Sequence, residues 1–146
     1  MSTLPADLPA PLPSFFSAKA PLQIAVAIAG LVPVGAGLAG VLLGPALAGR
    51  GVFAASLDSH FSYLSGLLLG IGLAFWSFIP AIDRRGAQVR LLTMLVVIGG
   101  LGRLVSLWRA GTPDGPMQAA LVMELLVTPA ICLWQWRVEH DAFCRN

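Results

Sequence analysis

Apolar residues fall in four long runs, separated by short stretches rich in Gly, Pro and charge. The first run covers 23–44, and its 22 residues would form a helix of about 33 Å, enough to cross a bilayer core of about 30 Å. Pro33 lies inside it, and proline is tolerated in a membrane helix where neighbours re-satisfy the freed carbonyl, so a kink is expected. Gly44-Pro45 ends the run. The second run covers 60–79 and stops at Pro80; the third covers 89–108 and is followed by Gly111-Thr112-Pro113; the fourth covers 117–136. Short links make sequence neighbours antiparallel. The pattern predicts an all-α integral membrane bundle of four transmembrane helices, occupying 21–138. A Pro-rich segment over 1–20, with Pro5, Pro9, Pro11 and Pro13, is predicted to be disordered, with Phe15 and Phe16 resting on the membrane surface. A tail over 139–146 follows the last span.

Composition agrees. Hydrophobic residues make up 57% of the 146 and charged residues 11%, against about 25% charged in soluble domains. The mean hydropathy is +0.82. A soluble chain this short would need far more polar surface. A formal charge of +2 without a basic stripe excludes nucleic acid as a partner. Ala46-Leu47-Ala48 resembles a signal cleavage site, but the first run is long for a signal core and its charged flank is thin. It is read as a retained span.

Lys and Arg counts orient the bundle. Lys19, Arg84, Arg85, Arg90, Arg137 and Arg145 fall on the side of the termini, and Arg50, Arg103 and Arg109 on the other. The termini are therefore expected in the cytoplasm, with the protein in a plasma or inner membrane. Trp76, Trp134 and Trp136 fit an aromatic belt at that inner boundary, and Trp108 one at the outer. Cys132 and Cys144 share no metal-site spacing and read as reduced thiols. Small residues suggest packing faces: Ala36, Gly40 and Gly44 on the first helix, Ser62, Gly66 and Gly70 on the second, and Gly99, Gly100 and Gly102 on the third.

Polar residues inside spans are few, since an Asp, Lys or Arg at a helix centre costs roughly 2.5–3.5 kcal/mol on insertion scales. Here they gather at one depth. Asp58 and His60 open the second helix, Arg103 lies near the outer end of the third, and Glu124 lies seven residues into the fourth, about 10 Å deep. Helical spacing adds Ser62 and Ser65, then Gly99 and Ser106, then Thr128 and Gln135. The expected site is a cluster of Asp58, His60, Ser62, Arg103, Ser106, Glu124 and Thr128, its polar faces turned together because lipid would reject them. Each has a plainer reading. Asp58 suits a helix cap, His60 an interface, Arg103 a snorkelling side chain, Thr128 a back-bonded hydroxyl beside Pro129, and Arg103–Glu124 a structural ion pair. No catalytic motif is present, no metal site is expected of a lone His60, and no cofactor is implied.

Several motifs resemble one family. These are Asp58-Ser59-His60-Phe61, Tyr63-Leu64-Ser65-Gly66, Ile79-Pro80, Gly99-Gly100-Leu101-Gly102-Arg103-Leu104, Gly111-Thr112-Pro113, Met123-Glu124-Leu125, Thr128-Pro129 and Leu133-Trp134-Gln135. Together, over about residues 22–138, they are similar to the bacterial four-helix membrane family described as domain of unknown function forty-three forty-five. The resemblance implies a fold and a bacterial membrane, and no reaction. Ser62 departs from a pattern that commonly carries Arg there, which removes one cation from the cluster.

Three functions fit these residues. The first is a small module that binds lipid or another apolar molecule, or supports a membrane protein partner. The second is a small proton-coupled transporter, as a homodimer, using Glu124. The third is an isomerase-like membrane enzyme exchanging protons through His60 and Glu124.

Overall fold

The computed structural model describes residues 19–47 and 51–144. The expectations for the Pro-rich segment up to Ala18, for Phe15 and Phe16, and for Ala48, Arg50 and Arg145 lie outside these residues; Lys19 and Ala20, expected to be disordered with that segment, are helical. The described chain is all-α, a bundle of four helices long and apolar enough to cross a membrane. They are α1 (Lys19–Leu43), α2 (Ala55–Phe78), α3 (Gly86–Ala110) and α4 (Gly115–Cys144).

Sequence punctuation accounts for the boundaries. Gly44 closes α1 with a φ of 57°, a left-handed conformation suited to glycine. Pro80, without an amide hydrogen, breaks α2 into the 3₁₀ segment Ile79–Arg84, within which Ala81 is non-helical. Gly111, at φ 90°, ends α3 and donates its N–H to the Leu107 carbonyl. Asp114 caps α4 by accepting from the Met117 amide, with Pro116 in the first turn. The helices outrun the apolar runs, because a helix continues past the bilayer core where nothing breaks it. The expected tail is helical through Cys144. Asp58 is not the cap of α2; Ala54 holds that position without a side-chain bond, and Asp58 is the fourth helical residue.

The chain forms two hairpins. In the first, α1 and α2 meet through small residues. A Cβ added at Gly37 would lie 2.5 Å from the Leu69 backbone nitrogen, and one at Gly40 would lie on the Ser65 hydroxyl. The Trp76 ring covers Gly30, and its indole N–H donates to the Ala27 carbonyl at 3.1 Å. The expected packing faces are corrected accordingly. Gly30, Gly37 and Gly40 make the α1 contact while Ala36 is exposed, and Ser65 and Gly72 make the α2 contact while Gly70 faces open space. Trp76 contributes to this interface. In the second hairpin, Gly100 of α3 lies beneath Glu124 and Leu125, and Gly86 beneath the Glu139 carboxylate. Gly99 and Gly102 face open space.

The hairpins join at the end that carries Lys19, Arg84 and Arg85, here termed the basic end. Leu22, Val26, Ile82, Val89 and Val138 form the buried core there, with Phe75, Phe78 and Ile131 packed against it. Two glutamines secure the broken 79–84 turn. Gln23 donates to the Ile79 carbonyl at 2.7 Å and Gln135 to the Ile82 carbonyl at 3.0 Å. Lys19 pairs with Asp83 at 2.6 Å. Toward the opposite, distal end, no α-carbon of α2 comes within 8 Å of residues 115–127 of α4.

Candidate functional site: an ion pair on a widened turn

Within α4 the five residues Met123–Val127 form a π-turn. The cause is local. Pro129 has no amide hydrogen, and its ring would strike the carbonyl four residues earlier in a regular α-helix. The widened turn relieves that clash. Thr128 completes it, directing both its amide N–H and its hydroxyl at the Met123 carbonyl, the latter at 2.8 Å. Such turns recur at functional sites, since they aim a side chain that regular geometry would place elsewhere.

Here the turn carries Glu124. Its Cβ rests on Gly100, whose missing side chain lets α4 approach. Its Oε1 accepts from Arg103 Nε at 3.0 Å. The Glu124 side chain retains 15% exposure and that of Arg103 36%. A second Arg103 nitrogen, Nη1, donates only to the Met117 thioether, 3.0 Å away, and sulfur is a weak acceptor. Glu124 Oε2 is enclosed by protein and has no hydrogen-bond partner among the described residues. Leaving a buried polar group unsatisfied costs about 1–3 kcal/mol, and more for a charge. The pair thus holds unused capacity on both members: an acceptor at Glu124 and strong donors at Arg103.

Of the seven residues expected in the cluster, the structure brings together Arg103 and Glu124, with Thr128 bonded to the Met123 carbonyl on the same widened turn. Asp58 is turned toward α1, with Oδ1 against Gly44. His60 and Ser106 are exposed, and Ser62 is half-buried on the other hairpin. Avoidance of lipid requires that polar groups find partners; it does not specify which helix supplies them.

Spacing places Gln135 on the polar face of the fourth helix, but the contacts of several side chains are not legible in it. Met117 supplies a contact to Arg103. At the basic end Arg90 pairs with Glu139 at 3.1 Å, a second α3-to-α4 bridge. Gln135, fully buried, donates to Ile82 and, at 3.4 Å, to Glu139, while its own Oε1 has no partner among the described residues. The Thr93 hydroxyl is likewise enclosed and without one. Spacing held a signal for part of this set. Gly86, Thr93 and Gly100 are seven apart, two turns each, and mark the buried face of α3.

An open apolar groove of about 550 Å³ runs along α4 past Leu126, Val127, Ala130, Ile131 and Trp134 to Arg137. It begins two residues from Glu124.

No curated protein and no solved structure shows significant similarity to this chain. A family model does match, and its reach coincides with the architecture just described: it runs from residue 21, in the first turn of α1, to residue 135, the buried glutamine of α4, taking in all four helices, the π-turn and the Arg103–Glu124 pair. The chain belongs to that family, described as Domain of unknown function (DUF4345).

Proposed function

We propose that the protein is a small membrane module that binds an amphipathic molecule, a lipid or similar, through a headgroup offering both a donor and an acceptor. The donor would meet Glu124 Oε2, and the acceptor would take Arg103 Nη1, which in the structure donates to the Met117 thioether. The tail would lie along the apolar groove of α4. The observation that carries this reading is the enclosed carboxylate oxygen of Glu124, without a partner beside an under-used guanidinium. Apolar walls with a few convergent polar groups are the usual form of a small-molecule site. The Arg103 guanidinium 3.0 Å from Glu124 Oε1 weighs against Glu124 acting alone as the proton carrier of a transporter. We further propose a bacterial inner membrane with the basic end in the cytoplasm, as the distribution of Lys and Arg favours. The site then lies toward the outer leaflet.

Native mass spectra of the detergent-released protein test the reading. Wild type is expected to carry a defined adduct that Glu124→Gln and Arg103→Gln lose while remaining folded. A bare wild-type spectrum, or an adduct indifferent to both substitutions, would remove it.

A further inference from the structure

At the basic end the second α3-to-α4 bridge, Arg90–Glu139, borders an open pocket of about 420 Å³, far from the Arg103–Glu124 pair. Its lining is Arg90, Trp136, Glu139, His140 and Phe143. The volume is within the range of small-molecule sites, about 300–1,000 Å³. Arg90 and Trp136 stand at the ends of the apolar runs 89–108 and 117–136, so the pocket lies where the spans give way to polar surroundings.

Each polar member keeps binding capacity. The Glu139 carboxylate rests on Gly86, in the first turn of α3, and its Oε2 accepts from Arg90 Nη1 at 3.1 Å and from Gln135 at 3.4 Å. Its Oε1 accepts no hydrogen bond from the described residues. Arg90 engages Nη1 alone among those residues, and its side chain is 49% exposed, which leaves Nε and Nη2 as donors. His140 stacks on Trp136, ring centroids 6.2 Å apart, and turns Nδ1 to the Cys144 thiol at 3.8 Å. With the thiol donating to Nδ1, Nε2 carries the ring proton and is a further donor.

These groups select a ligand by its charges. Arg90 and Glu139 are opposite charges side by side, so a phosphate alone would meet Glu139 as a like charge, and an amine alone would meet Arg90. A molecule with a phosphate next to a primary ammonium matches both. Its phosphate oxygens would take Arg90 and His140, and its ammonium N–H groups would donate to Glu139 Oε1. Hydrogen bonds between ionised groups are the strong ones. Trp136 and Phe143, both exposed, flank these groups with apolar surface, as aromatic rings do at the level of lipid headgroups.

We propose that this pocket binds the headgroup of a phospholipid carrying a primary amine, of the phosphatidylethanolamine class, from the leaflet at the basic end. It is separate from the Arg103–Glu124 site and does not rest on the function proposed for that site.

The test is native mass spectrometry of delipidated protein in detergent, titrated with dihexanoyl phosphatidylethanolamine and with phosphatidylglycerol and phosphatidylcholine of the same chains. The ethanolamine lipid is expected to bind about tenfold more tightly than either of the others, since both lack the charged hydrogen bond to Glu139. Glu139→Gln is expected to bring the three affinities within about twofold of one another, and Arg90→Gln to weaken all three about tenfold. His140→Ala, at an exposed position, is expected to weaken them about threefold and carries the test if either other variant does not fold. Equal wild-type affinities, a preference that survives in folded Glu139→Gln, or affinities unchanged in His140→Ala overturn the site. Binding that Arg103→Gln removes and folded Arg90→Gln leaves intact belongs to the distal pair, and overturns this site while supporting that one.

Discussion

Between α1 and α2 the contact is made by glycines, a serine and a tryptophan; between α3 and α4 it is made by ion pairs, amides and a widened turn. The first hairpin brings backbones so close that Gly37 meets the Leu69 main chain. Its binding comes from dispersion over a dry surface, as expected where lipid gives no hydrophobic drive. The second places Arg103, Thr93 and Arg90 on one helix and Glu124, Gln135 and Glu139 on the other, and encloses three side-chain oxygens that have no partner among the described residues. Close small-residue packing is concentrated in the first hairpin and polar bridging in the second, and the shared core at the basic end ties the two together.

Substitutions sharpen this contrast. The largest loss is expected from Gly37→Leu, whose side chain has only backbone to displace; overpacking costs about 1–3 kcal/mol and this site belongs at the top of that range. The unfolding midpoint in detergent checks it, and an unchanged midpoint would break the picture of a close-packed first hairpin. Next comes the distal ion pair. A double-mutant cycle on Arg103→Gln and Glu124→Gln should return a coupling of about 1–2 kcal/mol, below the range for a fully buried pair because Arg103 is 36% exposed. The same cycle on Arg90 and Glu139, nearer to solvent, should return about 0.5 kcal/mol or less. Equal couplings would mean that the two bridges do not differ in surroundings. Trp76→Phe keeps the ring over Gly30 and removes the bond to Ala27, so about 1 kcal/mol is expected to be lost. Gly70→Ala, with open space where its Cβ would stand, should leave stability within about 0.5 kcal/mol. A large effect there would reveal a neighbour on that face.

The sequence made the four spans legible because each is a single long apolar run bounded by Gly, Pro or charge. It also made Arg103 and Glu124 legible as partners, since their depths match and each carries a charge that lipid excludes. What escaped it was helix-to-helix assignment. Small residues spaced by four and by seven are equally compatible with one helix face, so the spacing by four included Ala36, which is exposed, and left out Gly30 and Gly37, which make the contact. Asp58, His60 and Ser62 share a depth with Glu124, but depth says nothing of lateral position, and the first hairpin directs Asp58 to Gly44 instead. The π-turn had a sequence cause in Pro129, yet the same Thr-Pro step is compatible with a simple kink.

The bridge between Arg103 and Glu124 also bears on how the chain is made. A helix that enters the bilayer alone brings its charges uncompensated, each opposing insertion by roughly 2.5–3.5 kcal/mol near the centre. The first hairpin has no such burden along its buried contact and can leave the translocation machinery as soon as α2 is complete. The third helix is different: until the fourth emerges, Arg103 has no counter-charge. Only four residues separate Ala110 from Gly115, so the carboxylate follows its guanidinium closely in synthesis, and the expected outcome is that the two helices enter the lipid as one neutralised unit.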